Sequence, residues 1–231
     1  MSWQFPLSKL LVLVPSRERP QNVARLGAVA RSTMYGGGSL LFIFDEDDSQ
    51  LEASQAAADE NKWPYEVQEN LITVPKVNLA ASRHLDSRFL MFLGDDHIPR
   101  TSGWDDCILA GFEKLGGTGY VYPWGMGRED TPEICAISTD IVKALGWFGL
   151  PAINHFYVDN VWADIGNGAG CLLFLRDVIL EHMHWTFGKG PMDHINQRAI
   201  VLTAQDRITY NHWEQTQRDR DIATVRALRD L

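Results

Sequence analysis

The stretch Leu90-Met-Phe-Leu-Gly-Asp95-Asp96-His97 decides the reading of this chain. An apolar run of four to eight residues closed by a glycine and charged residues reads as a strand buried on both faces. Two similar runs precede it. Leu10 to Val14 ends at Pro15-Ser16-Arg17-Glu18-Arg19-Pro20, and Ser39 to Phe44 ends at Asp45-Glu46-Asp47-Asp48. Between them, Val23, Leu26 and Val29 recur at helical spacing within Asn22 to Ser32. Leu51 to Glu60 is Ala-rich and helical, and a short strand is expected at Tyr65 to Gln68. Asn78 to Ser87 reads as a helix, and Trp104, Ile108, Leu109, Phe112 and Leu115 mark another. Alternating strands and helices predict an α/β domain with a mainly parallel sheet.

The second half is less regular. Gly119 to Pro123 and Ile134 to Ser138 are expected as strands, and Ile141 to Gly146 and Asp159 to Ile165 as helices. Cys171 to Leu175 and Val178 to His184 read as a strand pair turning at Arg176-Asp177. From Ile195 onward the chain is polar and helix-prone, with an apolar stripe at Ile222, Val225 and Leu228.

The 231 residues suit one large domain, and 45% apolar residues suffice for a core. The formal charge is −9, from 30 acidic and 21 basic residues, with no basic run. A nucleic-acid surface is therefore not expected. Cys107, Cys135 and Cys171 are odd in number and form no CxxC pair, which predicts free thiols in a reducing compartment. The apolar run before Pro15 is too short for a signal core or a membrane span, so a cytoplasmic chain is expected.

In a parallel sheet, ligands gather beyond the carboxyl ends of the strands. Asp95 and His97 alternate to one side there, and Asp96 to the other. Carboxylates with an imidazole suit Mn²⁺ or Mg²⁺, with the imidazole favouring Mn²⁺. Arg17 or Arg19 could pair with phosphate or line a base pocket. Asp45 could accept hydrogen bonds from a base or ribose. Each of these charges could equally be a solvated loop residue.

The ordered set of a first strand ending Val-Pro-Ser-Arg17, a second ending in Asp45 and a third ending in a DxD-like triplet resembles GT-A glycosyltransferases, especially family 2. Asn78-Leu-Ala-Ala-Ser-Arg83 resembles their segment before the DxD strand. Ile137-Ser138, Leu145-Gly-Trp-Phe148, His155 to Trp162 and Glu181-His-Met-His184 with Gly188-Lys189 are similar to glycosyltransferases of actinobacterial phages. The resemblance covers most of residues 8 to 195. It implies a GT-A domain at 1–195 and a helical extension at 196–231.

The resemblance implies transfer of a sugar from a nucleotide-diphosphate sugar, with UDP the default, to a protein or glycan hydroxyl, such as Ser or Thr of a virion structural protein. Asp95 and His97, or Asp96, would hold the cation. A further ligand would come from His182 or His184, with His184 favoured because it lies nearer the strand end. Asp45 would contact the base beside Pro15 and Arg17, with Asn78 in the donor segment and Arg83 at ribose or phosphate. Asp159 would be the base that deprotonates the acceptor, or alternatively the N-cap of its helix. His155, Tyr157, Trp124 and Trp162 could form a sugar platform or simply pack. Gly125 to Asp130 could form a lid or a plain surface turn, and Lys189 could touch phosphate.

Asp-Asp-His in place of Asp-x-Asp leaves the stereochemistry open. The acidic surface and amphipathic tail permit an oligomer. Competing readings are a nucleotidyltransferase, which lacks its glycine-rich loop here, a non-catalytic nucleotide-sugar-binding module, and a metal-dependent phosphoester hydrolase.

Overall fold

A computed structural model describes residues 9–229. The outermost residues of the two expected ranges, 1–8 and 230–231, lie outside the described residues. The elements run β1 (Leu10–Pro15), α1 (Pro20–Thr33), β2 (Gly38–Asp45), α2 (Leu51–Glu60), β3 (Tyr65–Gln68), α3 (Thr73–Arg83), β4 (Phe89–Phe92), β5 (His97–Pro99), α4 (Trp104–Lys114), β6 (Tyr120–Trp124), β7 (Cys135–Ser138), α5 (Thr139–Leu145), α6 (Val158–Gly168) and β8 (Leu172–His182). A short 3₁₀ turn (Trp185–Phe187) leads to α7 (His194–Ile200), α8 (Thr203–Thr216) and α9 (Arg218–Arg229).

One 8-stranded sheet has the order β3-β2-β1-β4-β7-β6-β8-β5. β1 pairs in parallel with both β2 and β4, while β7 and β5 run antiparallel to their neighbours. The chain runs outward through β2 and β3, then returns to the other side of β1. That reversal opens a crevice above the carboxyl ends of β1, β2 and β4. Period-2 alternation splits β1 between two cores. Leu11 and Leu13 pack beneath α3, α5 and α6, whereas Leu10, Val12 and Val14 face α1, α2 and α4. Both faces are covered, which is why these strands read as unbroken apolar runs.

Three expected elements differ. The helix expected at Asn78 to Ser87 is α3 and starts at Thr73. Pro75 sits in its first turn, where the missing N–H is tolerated, and Val74, Val77, Ala80 and Ala81 bury one face. The expected strand pair at 171–184 is one strand, β8, pairing first with β6 and then with β5. Its register on β6 jumps from Pro123↔Leu175 to Trp124↔Ile179, so Arg176 and Asp177 sit in a bulge and not in a hairpin turn. His97 to Pro99, unassigned by pattern, is the edge strand β5.

The residues after 195 share the core of the sheet domain. Trp213 of α8 and Val225 of α9 are fully buried in the same cluster as Leu13 and Trp162. Asp206 of α8 is also fully buried. It accepts hydrogen bonds from the backbone N–H groups of Asn154, His155 and Phe156 and from the Asn154 side chain, at 2.8–2.9 Å. No helix among the described residues is long and apolar enough to cross a membrane.

Candidate active site

The crevice is a cavity of about 540 Å³. Its floor comes from the carboxyl ends of β1, β2 and β4, one wall from the start of α3 and the 148–159 segment, and its cover from residues 184–202.

At one end lies Asp45, the last residue of β2, with no solvent exposure. Arg17 Nη1 is 3.1 Å from its carboxylate and Lys76 Nζ is 2.7 Å away. Arg17 also reaches Asp47 at 2.6 Å, and Asp47 accepts from Asn70. Burial lowers the Lys76 pKa and Asp45 only partly restores it, so the net shift is downward. Lys76 had no sequence assignment. Its signal is a single cation on the apolar face of α3, among Val74, Val77 and Ala80, where a buried partner is required.

The triplet after β4 splits. Asp95 turns toward β1: it accepts from Ser16 at 2.6 Å, Arg19 at 3.1 Å and Asn22 at 3.4 Å. Burial raises its pKa, opposed by Arg19. Arg19 continues to Asp193 in a two-pronged contact of 2.7 and 2.8 Å, and Asp193 is the N-cap of α7. Asp96 turns the other way, toward His97 at 3.3 Å and His182 at 3.4 Å. The two imidazoles stack with centroids 4.1 Å apart, because β5 and β8 pair His97 directly with His182. Burial works to raise the Asp96 pKa, but hydrogen bonds and charge from His182 and His97 hold it well below the usual range. Burial likewise opposes protonation of His182, yet Asp96 and Glu133 outweigh it and raise its pKa to about 9. His97 is lowered by burial and by the charge of His182.

Among the described residues, Asp96, His97 and His182 form one group whose ligand atoms lie within 4.8 Å of one another. His97 Nε2 is buried without a hydrogen-bond partner. Leaving such a nitrogen unpaired is costly, and a cation would remove that cost. One carboxylate and two imidazoles suit Mn²⁺ better than Mg²⁺. These residues therefore fit a divalent cation. Asp95 stands outside the group. So does His184, whose Nδ1 is 2.8 Å from Thr186 Oγ1. β8 ends at His182, and His184 caps the following turn, so strand alternation does not carry it onto the same ligand position.

Asp159 lines the cavity in the first turn of α6. Its pKa is raised by burial, against a backbone hydrogen bond from Asn160. The N-cap of α6 is Tyr157, at φ 69°, so Asp159 is not the cap. Glu133, also lining the cavity, touches His182 at 3.4 Å; burial would raise its pKa, but His182 brings it down. Glu133 was not foreseen; its only signal is an acid directly before the apolar strand Ile134 to Ser138. His155 lines the wall with Nδ1 2.8 Å from Thr73 Oγ1, and burial lowers its pKa to about 4.

Several expected residues lie elsewhere. Asn78 does not line the cavity: its side chain binds the backbone of Phe148 and Gly149, tying α3 to that turn. Arg83 is ten residues further along α3 than Thr73, about 15 Å of helix, and pairs with Glu66. Trp162 is 2% exposed, donates to the Phe148 carbonyl and contributes to the cavity lining. Tyr157 stacks on Tyr210, and Trp124 is not in the lining. Lys189 pairs with Glu181 at 2.8 Å. Pro15 and Arg17 do line the cavity.

No family model matches the sequence, and no curated protein matches it. Solved structures do match. The mannosyltransferase PcManGT from Pyrobaculum calidifontis, solved with GDP-Man and Mn²⁺, aligns with TM-score 0.59 at 10% identity, covering 98% of this chain and 77% of that one. The chain has the GT-A glycosyltransferase fold. S. aureus TarS 1–349 with UDP aligns at TM-score 0.57 and 11% identity, over 74% of this chain. The match spans 59% of that TarS fragment. Glucosyl-3-phosphoglycerate synthase from Mycobacterium tuberculosis, solved with Mn²⁺, UDP and phosphoglyceric acid, aligns at TM-score 0.56 and 10% identity, over 84% and 77% of the two chains.

Proposed function

We propose that this chain is a metal-dependent glycosyltransferase that moves a sugar from a nucleotide-diphosphate sugar to an acceptor hydroxyl. One observation carries the reading: a single cavity on a GT-A fold joins the Arg17–Asp45–Lys76 corner to the Asp96–His97–His182 group. The three structural neighbours, solved with GDP-Man, UDP and Mn²⁺, support it.

Asp45, flanked by Arg17 and Lys76, would orient the base, with UDP the default nucleotide. Asp96, His97 and His182 would hold the cation, which when bound neutralises the charge of the departing diphosphate. Arg19 adds a fixed positive charge beside Asp95. Asp159 would take the proton from the acceptor hydroxyl; a carboxylate whose pKa is raised by burial is a stronger base than an exposed one. The cover at 184–202 would exclude water that otherwise hydrolyses the donor. The phage resemblance of residues 155–162 and 181–189 favours Ser or Thr of a virion structural protein as acceptor.

The test is a thermal-shift panel of nucleotide-sugars, each with Mn²⁺ and with EDTA. A metal-dependent rise in the midpoint with one donor supports the reading; at a hundredfold excess over its Kd the stabilisation behind that rise is about 2.7 kcal/mol. No shift with any diphosphate nucleotide in Mn²⁺ overturns it and favours phosphoester hydrolysis.

A further inference from the structure

Glu133 stands just before β7 on the opposite side of His182 from Asp96. His182 Nδ1 is 3.4 Å from Glu133 Oε2, and His182 Nε2 is 3.4 Å from Asp96 Oδ1. A neutral imidazole carries one proton, and a nitrogen that ligates a cation must be bare. With Nε2 turned toward the Asp96 group, the proton belongs on Nδ1, facing an acceptor. Glu133 is that acceptor.

A second feature holds the acceptor in place. A Cβ at Gly125 would fall 2.9 Å from Glu133 Oε2, and one at Gly127 would fall 3.0 Å from Glu133 Oε1. The Gly125 carbonyl also accepts from the backbone N–H of His182, at 2.9 Å. The Gly125-Met-Gly127 turn therefore lies close against the Glu133 carboxylate: a Cβ at Gly125 would displace it, and one at Gly127 would meet Phe187 Cζ at 2.6 Å as well. The same turn leads to Arg128, which lines the cavity.

We propose that Glu133 is a positioning residue for the cation site, acting through His182: it fixes the proton on Nδ1, presents Nε2 toward Asp96, and is itself held by the glycine turn at 125–127. This rests on Asp96, His97 and His182 holding a divalent cation. Outer carboxylates that orient a ligating histidine typically contribute 10- to 100-fold in metal affinity.

The test is a calorimetric titration of the full chain with MnCl₂ and no nucleotide. Glu133→Leu should weaken Mn²⁺ binding by about 10- to 100-fold. Glu133→Gln, whose amide oxygen still accepts from Nδ1, should recover part of the loss. Gly125→Ala, which displaces the carboxylate without removing it, should weaken binding too, and it serves if Glu133→Leu does not fold. Wild-type affinity in Glu133→Leu, with binding lost in His182→Ala, overturns the role of Glu133 and leaves the cation site standing. Equal losses in the Leu and Gln variants make Glu133 a ligand and also overturn the positioning role. A wild-type chain that binds no Mn²⁺ overturns both the site and the proposal.

Discussion

Around Asp45 two carboxylates face cations: Arg17 meets Asp45 and Asp47, and Lys76 meets Asp45. Around Asp96 the facing groups are imidazoles, His97 and His182, with His155 further along the wall. In the first corner Asp45 is already paired with two cations before any ligand arrives, although its Oδ1 makes no hydrogen bond. The second holds a buried nitrogen without a partner and histidines displaced in opposite directions. A region whose charges are already paired can position a ligand, whereas one with an unpartnered imidazole nitrogen is ready to accept one.

The largest break should come from Asp96→Ala, which takes the carboxylate from the histidine group. Mn²⁺ binding should vanish and transfer fall by about 10³-fold, the several kcal/mol a bound cation contributes to the departing charge. Calorimetry and a donor-turnover assay measure the two effects, and unchanged turnover would return Asp96 to a structural role. Asp159→Asn should next lower kcat by about 10²- to 10⁴-fold while donor affinity stays level; equal transfer in the variant would remove Asp159 from the chemistry.

At the other corner, Lys76→Met leaves Asp45 with Arg17 alone. An uncompensated buried charge costs about 3–5 kcal/mol; with Arg17 still paired to Asp45 the cost should fall below that, read as a lower urea midpoint with unchanged slope. A midpoint at the wild-type value would show that Arg17 suffices.

The smallest effect is in pH. The folded His155 pKa of about 4 lies below its ordinary 6.5. The unfolded chain therefore binds this proton first, and stability falls as pH drops from about 6.5 through about 4. The loss is up to about 3 kcal/mol, less where solvent reaches the ring. His155→Gln should flatten that slope in urea titrations between pH 4 and 7, and an unchanged slope would place the dependence elsewhere.

The Asp45 corner was the more legible of the two. β1, β2 and β4 are buried on both faces and so appear as apolar runs, which puts Arg17, Asp45 and the triplet on one edge. Lys76 escaped because α3 begins five residues before the expected Asn78, its start hidden by Pro75. The histidine corner depends on long-range pairing that local patterns do not encode. His97 meets His182 only because β5 lies antiparallel to β8, and the bulge at 176–177 that makes β8 continuous looks locally like a turn. Asp95 and Asp96 are chemically identical in sequence; Ser16, Arg19 and Asn22 on one side and His97 and His182 on the other, brought in from other elements, separate them.

The buried Asp206 clamp bears on the order in which the molecule can be made. Backbone groups at residues 154–156 find their acceptor 50–52 residues later in the chain. During synthesis at about 5–20 residues per second, β1 to β4 can pair well before that carboxylate leaves the ribosome. The backbone N–H groups of residues 154–156, at the wall carrying His155, find this acceptor only then. A nascent chain can thus assemble its Asp45 corner before the His155 wall, so a stalled or truncated product would carry that corner without a finished cavity.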